Sequence, residues 1–146
     1  MIPDIDLSEG GLLVVTGSTL RAEQLDRPLA YQLKSTIEEV LGEQGVDCTV
    51  LVLSDLWYLN GEALQRVPMV SIGGPGVNAV SANLFRRLSN VLVVDDTLLI
   101  QMDPGLRDLR ASIWGMNHAA TVDALELFVK RGYLERFLQA AMARMY

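Results

Sequence analysis

The sequence predicts an α/β protein, a Rossmann-like three-layer sandwich whose mainly parallel sheet carries one antiparallel hairpin strand. Three observations predict it. An apolar run that ends in glycine and small polar residues, followed by a helix pattern, occurs three times: Leu12 to Val15 before Thr16-Gly17-Ser18-Thr19, Met69 to Ile72 before Gly73-Gly74-Pro75-Gly76-Val77-Asn78, and Ala111 to Trp114 before Gly115-Met116-Asn117-His118. Between the second and third, two apolar arms are joined by Asp95-Asp96, a hairpin signal. The 146 residues are 50% hydrophobic and 21% charged, which suits a single folded domain over 1–146 with one sizeable core.

The elements follow in order. Gly11 to Val15 reads as the first strand, and Asp26-Arg27-Pro28 as a helix start with proline in the first turn. Leu29, Leu33, Ile37, Val40 and Leu41 recur at helical spacing up to Gly42 and Gly45. Thr49 to Leu53 is the second strand; it runs into a loop bearing Trp57 and Tyr58, and Glu62 to Arg66 forms a short helical turn. Val67 to Ile72 is the third strand. Pro75 is expected at the first position of the next helix, with a stripe of Val77, Val80, Leu84 and Leu88. Val91 to Val94 and Leu98 to Met102 form the hairpin, and Ala111 to Trp114 is the last strand. Thr121 to Lys130 and Tyr133 to Met145 are helices separated by Arg131-Gly132.

Strand direction then places the chemistry. If the first hairpin arm runs parallel to the sheet, its Asp95-Asp96 tip lies at the carboxyl edge and the Asp103-Pro104-Gly105 loop at the opposite edge. The last strand runs forward again, so Gly115 to His118 join the other glycine loops at the carboxyl edge, where doubly wound folds hold their ligands. Gly17, Gly74, Asn78, Gly115, Asn117 and His118 are therefore expected in one crevice.

Charge narrows the partners. A net charge of -6 argues against general binding to a phosphate backbone, so nucleic acid is not an expected partner. The basic residues are ten arginines with Lys34 and Lys130, and arginine is the better fork for carboxylate or phosphate. No apolar stretch approaches the roughly 18 to 20 residues that span a bilayer. Met1 to Gly10 carries Asp4, Asp6 and Glu9 where a signal peptide would be basic and then apolar, so a cytoplasmic location is expected. Cys48, the one cysteine, excludes an internal disulfide and a thiolate cluster and reads as a small core residue.

Each candidate site residue has a functional and a structural reading. In Gly73, Gly74, Gly76 and Asn78, glycines admit a ligand to the backbone, and free amides at a helix start attract anions. The run is neither a Walker A loop nor a Gly-x-Gly-x-x-Gly dinucleotide loop, and its glycines equally serve a sharp strand-to-helix turn. Thr16, Gly17 and Ser18 offer hydroxyls where flavodoxin-like proteins hold a flavin phosphate, with Trp57 and Tyr58 able to flank a ring. A helix beginning only at Asp26 is too late for a tight phosphate cradle, and no particular cofactor is assigned. His118, the sole histidine, lacks the usual metal-ligand spacings, so no metal site is expected. As a general base it would stand in the first turn of a helix, with Asp95 as catalytic companion and Asp96 and Asp55 as further choices. Ser18 or Thr19 would then be the nucleophile. His118 and Asn117 also read as ordinary helix-start residues, as does Gly115 as a turn glycine.

The run Ile72-Gly73-Gly74-Pro75-Gly76-Val77-Asn78, the hairpin, and Trp114-Gly115 with Thr121-Val122-Asp123-Ala124 in the next helix together resemble α/β domains of archaeal S-layer-related and uncharacterised surface proteins. The resemblance covers about half the chain, Val70 to Val129. It implies a Rossmann-like layer with a structural or binding purpose and carries no catalytic residues over.

Three functions follow: a cytosolic module binding a small anionic ligand, such as a nucleotide, at the glycine loops; a structural or protein-interaction domain without a ligand, which a crevice filled by Trp57 and Tyr58 would favour; and a nucleoside-type hydrolase or transferase using His118 and an aspartate. The stripe Leu134, Phe137, Leu138, Ala141, Met142 and Met145 must pack either on the domain's own sheet or on a second copy. A homodimer through this helix is the expectation drawn from its methionine and aromatic content.

Overall fold

The computed structural model describes residues 10–145, so the acidic N-terminal stretch weighed above as a leader lies outside them but for Gly10. Six strands form one mixed sheet: β1 (Gly11–Thr16), β2 (Thr49–Ser54), β3 (Met69–Ile72), β4 (Asn90–Val94), β5 (Leu98–Met102) and β6 (Arg110–Gly115), in the order β2-β1-β3-β6-β5-β4. β1 pairs in parallel with β2 and β3, and β3 with β6; β5 runs antiparallel to both β6 and β4. The hairpin geometry is therefore the one expected, with β5 the single reversed strand. Asp95 and Asp96 turn it with φ of 38° and 56°, left-handed values that aspartate tolerates, and the Thr97 N–H closes the turn on the Val94 carbonyl at 2.7 Å.

Five α-helices pack against this sheet: α1 (Arg27–Glu43), α2 (Asp55–Asn60), α3 (Ala79–Leu84), α4 (His118–Lys130) and α5 (Tyr133–Met145). The pleat alternates side chains between two cores. Leu12, Val14, Val70, Ile72, Ile100 and Ile113 meet Leu33 and Ile37 of α1, Phe128 of α4 and Phe137 of α5. Leu13, Val15 and Met69 meet Tyr58 of α2 and Val80 and Leu84 of α3. The α5 stripe thus lies on the chain's own sheet, with Leu134, Phe137, Leu138 and Ala141 buried and Met142 half-buried. Among the described residues no helix is long and apolar enough to cross a membrane.

Three boundaries differ from expectation, each for a local reason. Helical winding after β1 begins at Leu20 rather than Asp26, because the Thr19 hydroxyl oxygen accepts the Ala22 N–H at 3.2 Å. A wider, π-type turn, Ala22–Asp26, joins that start to α1. Pro75 does not open α3; Asn78 caps it, and residues 74–77 form a tight loop in which the Asn78 N–H bonds back to the Gly74 carbonyl at 3.0 Å. Trp57 and Tyr58 lie on α2 instead of a loop, since Ser54 accepts the Trp57 N–H and starts a helix there.

Order of the strands fixes where a crevice opens. From β1 the chain passes through α1 to β2 on one side, and from β3 through α3 towards β4 on the other. The winding after β1 and the loops after β3 and β6 leave a gap among them at the carboxyl edge.

Candidate ligand-binding site

A cleft of about 310 Å³ occupies that gap. The π-type turn supplies Arg21, Leu25 and Asp26, the β3–α3 loop supplies Gly73 to Val77, and the β6–α4 loop supplies Trp114 to His118 with Thr121 behind them. Of the residues expected in one crevice, Gly74, Gly115, Asn117 and His118 line it, as do Gly73 and Gly76. Gly17 and Asn78 share the edge without lining the cleft.

Those two hold the loops. A Cβ at Gly17 would overlap the Val77 carbonyl oxygen, so the first glycine loop packs its backbone directly on the second. Asn78 is buried, and its amide is fully used: Oδ1 accepts the Val80 and Ser81 N–H groups at 2.9 and 3.2 Å, and Nδ2 donates to Ser71 Oγ at 2.9 Å and the Ile72 carbonyl at 3.0 Å. Ser18 donates to Asp55, whose carboxyl also accepts the Leu56 and Ala79 N–H groups at 2.8 Å each. The Ser18 and Thr19 hydroxyls, considered above as nucleophiles, are thus engaged in joining β1, α2 and α3 and in starting the winding. Thr16 is buried with its hydroxyl unpaired and does not line the cleft.

Asp26 has the opposite environment. Its residue is 7% exposed, the carboxyl makes no hydrogen bond, and it lies beside the Gly73 backbone on the wall of the cleft. Burial pushes its pKa above the ordinary carboxyl value, and the nearby His118 and Arg21 oppose that rise. Gly73 has φ of +112°, and a Cβ there would come 2.8 Å from Asp26 Oδ2; glycine both permits the turn and leaves room for the carboxyl.

Two polar atoms on residues that line the cleft are buried without a partner, Nδ1 of His118 and Nε1 of Trp114. His118 is the first residue of α4, held there by Asn117, whose Oδ1 accepts the Ala120 N–H at 2.8 Å. Trp114 is held from below, because a side chain at Gly74 would meet its ring at 3.2 Å, and Phe85 tilts against it with ring centres 6.2 Å apart. Unpaired buried polar atoms are rare in folded proteins and cost stability. Two of them belong to residues that line the same cleft as the unbonded Asp26 carboxyl.

Asp95 does not line the cleft; it is an exposed turn residue, and the carboxyl group in electrostatic contact with His118 is Asp26. Trp57 and Tyr58 do not fill the crevice either. Asp26 had been absorbed into the expected helix start. Extending the α1 stripe backwards through Leu29 to Ala22 puts Asp26 on the buried face, a lone carboxyl among apolar positions, and that was the available signal. Arg21 and Trp114 gave no signal of their own. Among the described residues no three of His, Cys, Asp and Glu cluster in a way that could hold a metal ion.

No family model, no curated protein and no solved structure matches the chain.

Proposed function

We propose that this chain is a Rossmann-like three-layer α/β domain that binds one small ligand with an anionic group, a mononucleotide or smaller, in the carboxyl-edge cleft. The observation that carries this reading is that Asp26, whose carboxyl makes no hydrogen bond, lines one cleft together with His118 and Trp114. The Asp26 carboxyl wants a hydrogen-bond partner that the chain does not supply, and a ligand in the cleft would supply it. Arg21 and the first turn of α4 provide the positive side for an anionic group. The volume, about 310 Å³, is at the lower end of small-molecule pockets, which run from roughly 300 to 1,000 Å³. It suits a single ring system with one substituent better than a dinucleotide.

Thermal unfolding in the presence of phosphate, nucleosides and nucleoside monophosphates tests the reading. A ligand at a hundredfold excess over its Kd stabilises by about 2.7 kcal/mol. That stabilisation should disappear in His118→Ala while the far-UV spectrum is kept. Failure of every one of these compounds at millimolar concentration to raise the midpoint would refute it.

A further inference from the structure

We propose that the amino edge of the sheet, opposite the cleft, carries a second site: an arginine-lined pocket that takes a compact polyanion with two adjacent phosphate or carboxylate groups. The pocket, about 460 Å³, lies where the 3-10 turn Leu64–Arg66 before β3, the β5–β6 loop and the end of α5 meet. Met69 and Arg110 pair there as the first residues of β3 and β6. Arg66, Arg107, Arg110 and Arg144 all line it. The chain has a net charge of -6, yet four of its ten arginines come to this one place, from the turn, the loop, a strand and a helix. Like charges gathered in this way repel, and an anion among them relieves the repulsion.

The two aspartates of the pocket answer those charges only in part. Asp103 turns its oxygens to the chain: Oδ1 accepts the Gly105 N–H at 3.1 Å, and Oδ2 accepts the Arg107 and Asp108 N–H groups at 2.9 and 3.0 Å. Asp108 is held by the Arg110 fork, with Nε donating to Oδ1 at 2.7 Å and Nη2 to Oδ2. Arg144 donates to the Arg107 carbonyl, which fastens the loop to α5. Arg66 and Arg107 remain: both are exposed and, among the described residues, neither side chain makes an ion pair or a hydrogen bond. A guanidinium fork matches the paired oxygens of one phosphate or carboxylate group, so two open forks call for a ligand with two such groups. The loop that presents Arg107 is already shaped by its three bonds to Asp103, so binding has little backbone left to order.

Calorimetric titration of the full chain with pyrophosphate, citrate and orthophosphate tests this. Pyrophosphate or citrate should bind at least about tenfold more tightly than orthophosphate, because a single phosphate engages only one of the two open forks. The tighter of pyrophosphate and citrate identifies the source of the charge. Arg66→Gln and Arg107→Gln each remove an exposed charge with no side-chain bond to lose, so the far-UV spectrum should be kept, and each should weaken the polyanion by about tenfold. Affinity should also fall as sodium chloride is raised, since exposed charges are screened. Polyanion affinity no greater than that of orthophosphate, unchanged affinity in the Arg66→Gln, Arg107→Gln double variant, or no binding of either polyanion at millimolar concentration overturns the inference. Polyanion binding that His118→Ala abolishes and the arginine variants retain belongs to the carboxyl-edge cleft; it also overturns the second site, and leaves the ligand-binding reading of the cleft standing.

Discussion

Asp26 and Asp55 stand near the same edge of one sheet and are almost equally buried, at 7% and 5% exposure, yet their surroundings are opposite. Asp55 takes a hydroxyl and two backbone N–H groups from three different segments. Asp26 takes none. A buried carboxyl that the chain has already satisfied is a structural pin, and one left unsatisfied raises the free energy of the empty protein until something binds to it. The contrast separates the two halves of the carboxyl edge: the β1, β2 and β3 loops are tied together on the Asp55 side, and the π-type turn, the β3 loop and α4 leave a cleft on the Asp26 side. A π-type turn is a recurrent device at functional sites. Here it brings Asp26 to the cleft wall from within a continuous helical winding.

The largest expected effect is on the satisfied side. Asp55→Ala removes the acceptor for Ser18, Leu56 and Ala79 together, and the two backbone donors at the starts of α2 and α3 lose their partner. Hydrogen bonds to a charged group contribute about 1.5 to 3 kcal/mol each and are not additive, so a loss of about 3 to 5 kcal/mol is expected. Urea unfolding at unchanged m-value measures it. A loss below about 1 kcal/mol would erase the distinction drawn between the two carboxyls.

Gly17→Ala comes next. The added methyl would overlap the Val77 carbonyl oxygen, which is backbone and cannot swing away, so the two glycine loops must separate. Overpacking of this kind costs about 1 to 3 kcal/mol, and the upper end is expected here. Because Val77 also lines the cleft, the same change should weaken ligand binding, which a titration of the folded variant would reveal. Unchanged affinity would mean that the two sides of the edge are mechanically independent.

How much of this was legible in the sequence follows from the range over which each signal acts. Strands, helices and the hairpin direction are written in local periodicity and turn residues, and the aspartate pair at 95 and 96 fixed the reversal of β5. Gly74, Gly115, Asn117 and His118 reached one cleft because parallel strands deliver their loops to one edge. Asn78 was misplaced as a ligand contact because its four hydrogen bonds run to groups within β3 and α3, and an asparagine at a helix start looks the same in sequence whether its amide is spent or free. Asp26 was hidden for a different reason. Asp-Arg-Pro is a strong capping signal, but the Asp26 side chain makes no capping bond, because winding had already begun at Leu20. Only the unsatisfied state of its carboxyl reveals its role, and that depends on loops from distant parts of the chain.

The smallest effect sharpens the comparison most, because its sign is unusual. Asp26→Asn keeps the shape of the side chain and removes a charge that burial disfavours. The Asp26 pKa is raised in the folded protein, so the native state holds this proton to higher pH than the unfolded chain does. Between the ordinary carboxyl value of 3.8 and the raised folded value, the native state binds more protons, and stability falls as pH rises through that window. Above it the whole cost is present; well below 3.8 both states are protonated and the cost vanishes. Without ligand, the variant should therefore be more stable than the parent chain at neutral pH, by about 1 kcal/mol or about 2 to 4 °C in midpoint, and the gap should close in acid. Most substitutions of buried residues destabilise, whereas replacing a residue retained for binding commonly does the reverse. Thermal unfolding of both proteins from pH 3 to pH 8 decides it: a variant less stable at neutral pH, or a gap that widens in acid, would show that Asp26 supports the fold as Asp55 does.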